Sequence, residues 1–195
     1  MPTESLRPAV FFDRDGVIIE NNPDYVRSVA EVVFIPGALE ALARLARARP
    51  AWRFIIATNQ AGVGRGVITR AVMEAINHHV VERIAAAGGR IDQVYVCPHH
   101  PDENCPCRKP APGLLRQAAA EWSLDLAASV MIGDSISDVQ AALAAGADPI
   151  LVQTGLGAGY AQDLLQAGLE STPVLPDLAA AIARVLSSAR HTNAP

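Results

Sequence analysis

The sequence alternates short runs of β-branched or aromatic residues with longer Ala- and Leu-rich segments of helical periodicity. This alternation predicts an α/β fold, a Rossmann-like parallel sheet flanked by helices, because parallel strands need long crossover connections that are usually helical. The apolar runs predict five strands, at Ala9–Asp13, Arg53–Thr58, Gln93–Cys97, Val130–Gly133 and Pro149–Gln153. The periodic segments predict helices at Gly37–Arg49, Thr69–Ala87, Gly113–Glu121, Ser137–Ala145 and Asp177–Ser188.

Composition narrows the class of protein further. The chain has 195 residues, of which 50% are hydrophobic, so we expect residues 1–195 to form a single domain with a substantial core and a frayed tail at 187–195. A net charge of −4 provides no broad positive field and argues against a nucleic-acid partner. No apolar run is long enough to span a membrane, and the first residues do not resemble an export signal. We therefore expect a cytoplasmic monomer without a membrane partner.

Two glycine-rich segments resemble cofactor-binding loops at first sight. They lie at 62–66 and 155–159, and neither has the G-x-G-x-x-G spacing of a dinucleotide-binding turn. The chain also lacks the G-x-x-x-x-G-K-[ST] pattern of a nucleotide-binding P-loop. The sequence thus gives no support for a nucleotide cofactor.

Polar residues follow several predicted strands, at the edge of a parallel sheet where ligands bind. Asp13 and Asp15 end the first strand, Thr58 and Asn59 end the second, and Asp134 follows the fourth. Two neighbouring carboxylates repel each other unless a cation or a proton lies between them. A solvated turn or a calcium loop would explain Asp13–Gly16 alone, although Val17 does not fit the calcium-loop pattern.

Two further features complete the set. Arg108 and Lys109 supply cations where a phosphate would need them. Asp138 lies one turn after Asp134, either as a partner of the metal ligands or as a charge at a helix N-terminus. Each signal has an ordinary structural explanation when it is taken singly. Together, the carboxylates, the hydroxyl and the ammonium group indicate metal-assisted phosphoryl transfer.

All three cysteines lie within eleven residues, at Cys97, Cys105 and Cys107. An odd number in one cluster fits neither a disulfide scaffold nor random scatter, and it suggests a metal site. Three reduced, buried thiols are the alternative interpretation. His99 and His100 lie between the first two cysteines, and the residues alone do not say which of them would be a ligand.

The ordered set D-x-D-G, T-N-Q, R-K-P and G-D-x-x-x-D, from Asp13 to Asp138, resembles the haloacid dehalogenase-like superfamily of phosphatases. Within it, the segments 13–16, 58–60, 64–66 and 97–110 look like the heptose bisphosphate phosphatases, with histidinol-phosphate phosphatases as near relatives. The resemblance implies hydrolysis through an aspartyl-phosphate. It also implies a small-molecule sugar phosphate as the substrate.

The resemblance also implies residue roles. Asp13 would be the nucleophile, Asp15 the general acid and base, and Thr58 and Lys109 would bind the transferred phosphoryl group. Mg²⁺ would be held by Asp13, Asp134 and the backbone carbonyl of Asp15. A structural Zn²⁺ would be held in the loop 97–110 by Cys97, His99, Cys105 and Cys107.

The spacing between motifs leaves no room for a large cap domain, so short loops must select the substrate. The expected substrate contacts are Asn21, Asn22, Tyr25, Asn59, Arg108 and Ser135. Two residues depart from the family pattern: Val17 replaces a usual threonine and Ser135 replaces a usual lysine. A zinc-stabilised binding module without catalysis is the alternative from another class, although Asp13, Asp15, Lys109 and Asp134 argue against it.

Overall fold

The computed structural model describes residues 6–188. Its centre is a six-stranded sheet in which every neighbouring pair of strands is parallel. The order across the sheet is β3-β2-β1-β4-β5-β6. The strands are β1 (Ala9–Phe12), β2 (Arg53–Asn59), β3 (Gln93–Cys97), β4 (Val130–Gly133), β5 (Asp148–Val152) and β6 (Val174–Leu175). Because β1 lies between β2 and β4, residues that follow these three strands meet at one edge of the sheet.

Helices occupy the connections between the strands, and a last helix follows β6. They are α1 (Ala38–Ala48), α2 (Ala61–Gly64), α3 (Arg70–Ala86), α4 (Gly113–Trp122), α5 (Ile136–Ala145), α6 (Gly157–Gln166) and α7 (Leu178–Ser187). Three short 3₁₀ turns lie at Val29–Glu31, Pro101–Glu103 and Leu126–Ala128. The hydroxyl of Thr69 accepts a hydrogen bond from the Val72 amide and so caps α3.

Side chains that alternate along the strands build a core on each face of the sheet. On β1, Val10 and Phe12 pack with apolar residues of α1, α3 and α7, whereas Ala9 and Phe11 pack with those of α4 and α5. All four side chains are fully buried. The central strand is therefore covered on both faces, which fixes the position of the residues that follow it.

The predicted fold class is confirmed, with differences in detail. The structure adds β6, α2 and α6 to the predicted elements, and β1 ends at Phe12. Between residues 6 and 188 no separate cap domain is inserted between the strands, and no helix is long and apolar enough to cross a membrane. Most of the tail predicted at 187–195 lies outside the described residues.

Candidate active site

Asp13 directly follows β1 and forms an ion pair with Lys109. Asp13 Oδ2 lies 3.0 Å from Lys109 Nζ, which also donates to the Ala57 carbonyl oxygen at 2.8 Å. The side chain of Lys109 is almost fully buried. Burial favours its neutral amine, but the charges of Asp13 and Asp138 outweigh this effect and raise the pKa of Lys109 above its ordinary value. Lys109 therefore remains an ammonium ion beside Asp13.

The backbone of Lys109 is tied to the end of β2. The Asn59 amide nitrogen donates to the Lys109 carbonyl oxygen at 3.0 Å, and the Lys109 amide donates to Asn59 Oδ1 at 3.1 Å. This reciprocal pair joins residues 50 positions apart in the chain. It holds the segment that carries Lys109 against the sheet edge.

Asp134 follows β4 and approaches Asp13 across Gly16. Gly16 has a φ of +79°, and a β-carbon at this position would collide with the Asp134 carboxyl group. The Leu156 amide donates to Asp134 Oδ2 at 2.9 Å, which holds that carboxyl group in place. Only glycine satisfies both the backbone conformation and the space at position 16.

Asp138 caps α5, which is one of the two roles that the sequence leaves open, and it also forms an ion pair with Lys109. Its Oδ2 accepts from the Ser135 amide at 3.1 Å and from the Ser135 hydroxyl at 2.6 Å, so the two residues cap α5. Its Oδ1 lies 2.5 Å from Lys109 Nζ. Lys109 thus lies between two carboxylates, of Asp13 and Asp138.

The carboxylates of Asp13, Asp134 and Asp138 fit a divalent cation. Oxygen atoms of all three lie within 4.8 Å of one another. Burial, opposed by Lys109, raises the pKa of Asp13 to about 6, and burial together with Asp13 and Asp138 raises the pKa of Asp134 to about 8. The single ammonium of Lys109 leaves two negative charges of the ionised cluster uncompensated. Hard oxygen ligands with this excess charge suit Mg²⁺.

Asp15 lies outside this carboxylate cluster and is held by other side chains. Arg14 Nη2 donates to both Asp15 oxygens, at 3.1 and 3.0 Å. The Gln60 side-chain amide donates to Asp15 Oδ2 at 2.7 Å and to the Thr58 hydroxyl at 3.0 Å. The carboxylate of Asp15 is therefore not one of the grouped metal-ligating oxygens, and the role of its backbone carbonyl as a metal ligand stays a prediction.

A cavity of about 410 Å³ opens above these residues. Its walls include the predicted residues Asp13, Asp15, Asn21, Asn22, Tyr25, Asn59, Asp134 and Ser135. Tyr25 adopts a φ of +66°, which is rare for a residue with a side chain of this size. Leu156 and Tyr160 also line the cavity. Neither residue was predicted, because no helix was predicted directly after β5, where Leu156 precedes α6 and Tyr160 lies within it.

Three of the residues predicted to bind the substrate either do not line this cavity or are already engaged in other contacts. Thr58 and Arg108 are not among the residues that line this cavity. The Thr58 side chain is buried under Gln60, and Nη1 of Arg108 is buried without a hydrogen-bond partner in the described part of the chain. The Ser135 hydroxyl is engaged in the cap of α5. A role for these three in substrate binding stays a prediction.

The four expected zinc ligands form a compact group. Cys97 Sγ lies 3.4 Å from Cys105 Sγ and 3.6 Å from His99 Nδ1, and Cys107 Sγ lies 3.4 and 3.2 Å from the same two atoms. Zinc–sulfur bonds of about 2.3 Å in a tetrahedron require ligand separations of roughly 3.8 Å, so the group fits Zn²⁺ after a small expansion. His100 instead caps the turn Pro101–Glu103.

The loop 97–110, which carries the expected zinc ligands and is called the zinc loop below, also contacts α2. A β-carbon at Gly64 would collide with the backbone of His99 and His100. The zinc loop therefore packs directly on α2, which directly follows the residues Asn59 and Gln60 that line the cavity.

Comparison with known proteins agrees with this geometry. A model of haloacid dehalogenase-like hydrolases matches residues 10–143, and a related model matches 106–181. The chain belongs to the haloacid dehalogenase-like hydrolases and is a phosphatase, as the sequence resemblance predicts.

Individual relatives of known name match almost the whole chain. D-glycero-β-D-manno-heptose-1,7-bisphosphate 7-phosphatase from Bordetella bronchiseptica is 42% identical over 181 residues, covering 92% of this chain and 98% of that protein. The enzyme of the same name from Pseudomonas aeruginosa is 41% identical with the same coverage. The crystal structure of the Bordetella enzyme, complexed with magnesium and phosphate, superposes with a TM-score of 0.84.

Proposed function

We propose that the protein removes the 7-phosphate of D-glycero-β-D-manno-heptose 1,7-bisphosphate. The observation that carries this proposal is the cluster of Asp13, Asp134 and Lys109 beside the cavity, in a chain that covers 98% of the Bordetella enzyme. The β-anomer is proposed because the related enzymes from Bordetella and Pseudomonas carry it in their names.

In the first step, Asp13 attacks phosphorus and the bond between phosphorus and the sugar oxygen breaks. The protonated Asp15 donates its proton to the departing oxygen, so that the sugar leaves as an alcohol. Lys109, beside Asp13, stabilises the charge on the transferred phosphoryl oxygens, with Thr58 as a proposed second donor.

In the second step, water attacks the aspartyl-phosphate. Asp15, which is now ionised, accepts the proton of that water, and phosphate leaves as Asp13 is regenerated. The same carboxyl group therefore serves as acid and then as base. Its fixed place beside Asp13 lets it reach both the departing sugar oxygen and the incoming water.

Two metals would support this chemistry. Asp13, Asp134 and the Asp15 carbonyl would hold Mg²⁺, which offsets the repulsion between a carboxylate and a phosphate dianion when it is bound. Cys97, His99, Cys105 and Cys107 would hold a structural Zn²⁺ whose four positions are all filled by protein. Because Lys109 lies two residues after Cys107, the zinc loop would also hold Lys109 in place.

Substrate contacts are proposed from the cavity walls. Asn21, Asn22, Tyr25 and Asn59, which line the cavity, would contact the sugar. Arg108 does not line it, and its proposed contact with the distant phosphate rests on the family resemblance alone. Ser135 supplies no cation where the heptose enzymes usually have a lysine, so histidinol phosphate or another small sugar phosphate is the alternative substrate. Val17 raises no such question, because it is fully buried in the core.

The test is phosphate release from both anomers of the heptose 1,7-bisphosphate, from histidinol phosphate and from a panel of sugar phosphates. Removal of the 7-phosphate leaves a sugar without a reducing end, so a reducing-sugar assay must stay negative while phosphate accumulates. Asp13→Asn should abolish release. A preference for histidinol phosphate, or a reducing product, would refute the substrate proposal.

We further propose that residues 1–195 act as a single monomeric domain in the cytoplasm. The single six-stranded sheet within the described residues 6–188 supports the single domain. Size-exclusion chromatography with light scattering tests the monomer.

A further inference from the structure

We infer that Arg14 and Asn77 are positioning residues that hold the carboxyl group of Asp15 for proton transfer. This inference rests on the proposed function, because it assumes that Asp15 is the acid and base. It adds a residue of α3, far from every sequence motif, to the machinery of the reaction.

The guanidinium of Arg14 contacts three side chains at once. Its Nη2 donates to both Asp15 oxygens and to Gln60 Oε1, at 2.9 Å. Its Nη1 donates to Asn77 Oδ1 at 2.6 Å. Asn77 thus fixes the outer end of the guanidinium, and the inner end fixes Asp15.

Asn77 is itself immobilised. It lies in the middle of α3, 8% exposed, and its amide nitrogen contacts the Met73 sulfur one turn earlier at 3.1 Å. The neighbours Ile76 and Val80 are fully buried in the core. The acceptor for Arg14 is therefore attached to a rigid, packed helix and not to a loop.

A contribution to the stability of the fold does not explain why the side chain of Arg14 is buried. Arg14 is 1% exposed, and its Nε has no hydrogen-bond partner within residues 6–188. A buried ion pair gains little net stability, because removal of both charges from water costs about as much as their attraction returns. The arrangement does fix the orientation of the carboxyl group of Asp15, the residue that follows Arg14 in the chain.

Correct placement matters because proton transfer requires hydrogen-bond geometry at the departing oxygen. A misplacement of about 1 Å can cost roughly 100-fold in rate. Loss of the Asn77 acceptor would free the guanidinium to rotate, and the Asp15 carboxyl group would move with it. Proton donation should suffer, while the attack by Asp13 should not. Asp13 contacts neither Asn77 nor the guanidinium of Arg14; its only hydrogen bond with Arg14 in the described residues is the one that Asp13 Oδ1 accepts from the Arg14 backbone amide at 2.7 Å.

The experiment compares two leaving groups in Asn77→Leu. A sugar alkoxide needs a proton to depart, whereas a nitrophenolate departs without one. We expect kcat/KM for the sugar phosphate to fall about 10- to 100-fold and kcat/KM for nitrophenyl phosphate to stay near the wild-type value. Because Asp15 also activates water in the second step, nitrophenyl phosphate should give a burst of nitrophenolate before the steady state.

Two further variants serve as a control and as an independent test. Ile76→Val weakens the core at the neighbouring position of α3 without touching Arg14, so it should change neither the ratio of the two kcat/KM values nor the burst. Arg14→Lys keeps the charge but lacks the forked donor that reaches Asp15, Gln60 and Asn77 together. It should reproduce the selective loss, and it decides the question if Asn77→Leu does not fold.

An equal fall with both substrates, with no burst, would mean that Asn77 only stabilises the fold and would overturn the inference. Asp15→Asn serves as the reference. If Asp15→Asn has the leaving-group dependence and Asn77→Leu and Arg14→Lys do not, this inference fails and the proposed mechanism stands. If Asp15→Asn also lacks it, the assignment of Asp15 itself is wrong.

Discussion

Replacement of Lys109 by methionine should strongly destabilise the protein at mildly alkaline pH. The ammonium lies 3.0 Å from Asp13 Oδ2 and 2.5 Å from Asp138 Oδ1, and it also donates to the Ala57 carbonyl oxygen. Methionine nearly conserves the volume, so the main loss is the charge. Removal of one partner from a buried ion pair costs about 3–5 kcal/mol, a large part of the typical total of about 5–15 kcal/mol.

The loss should depend on pH with a definite sign. The pKa of Asp13 is raised to about 6 even with Lys109 present, and loss of the ammonium can only raise it further. At about pH 5 Asp13 can become neutral by binding a proton, whereas at about pH 8 it must stay charged and unpaired or take up that proton at a cost. The destabilisation should therefore be smaller at the lower pH.

Urea unfolding followed by tryptophan fluorescence measures this, in zinc-loaded protein without Mg²⁺. Arg44→Met, on an exposed position of α1, changes the net charge equally and should leave the free energy of unfolding within about 0.5 kcal/mol of wild type. The double variant Lys109→Met/Asp138→Asn should recover part of the loss. A Lys109→Met protein within about 1 kcal/mol of wild type at the higher pH, or a loss that does not shrink at the lower pH, would refute this reasoning.

Three other outcomes are expected. Cys107→Ala removes one of four zinc ligands and should lower the zinc content, the melting temperature and the activity together; unchanged values of all three, by metal analysis, calorimetry and phosphate release, would contradict a zinc site. Gly16→Ala brings a β-carbon into the Asp134 carboxyl group and should abolish Mg²⁺-dependent turnover, whereas Gly159→Ala, with open space around it, should not. Without Mg²⁺, the folded-state pKa values of Asp13 (about 6) and Asp134 (about 8) lie above the ordinary 3.8, so the folded state binds more protons. Their contribution to stability is full below about pH 4 and is lost as the pH rises through about 6 and 8. Added Mg²⁺ should flatten this loss in thermal scans, and an identical pH dependence with and without Mg²⁺ would argue against a metal at these carboxylates.

Hydrophobic pattern was sufficient to predict five of the six strands. Phe54–Ala57 and Val130–Ile132 are apolar throughout because parallel strands are buried on both faces. Val174–Leu175 was missed because two residues carry no periodicity. The helix that begins at Gly157 was missed because three glycines within 155–159 are typical of a loop.

The site could be predicted wherever the function requires a residue type that a structural role does not. Two aspartates separated by one residue and followed by glycine are typical of such a functional site. Asp13 and Asp134 do meet as expected, whereas the close approach of Asp134 to Gly16 was not predicted. Arg14 was missed as a buried residue, since arginine normally lies on the surface. Asn77 was missed because nothing in a helical segment indicates which polar residue faces inward toward a partner 63 positions earlier.

The contact at Gly64 limits how this scaffold can be re-engineered. The backbone at His99–His100 occupies the space that any side chain at position 64 would need. A loop grafted from a relative with another specificity would fit only if the donor also has glycine there, or if the opposing segment is transplanted with it. The two segments must therefore be exchanged as a pair.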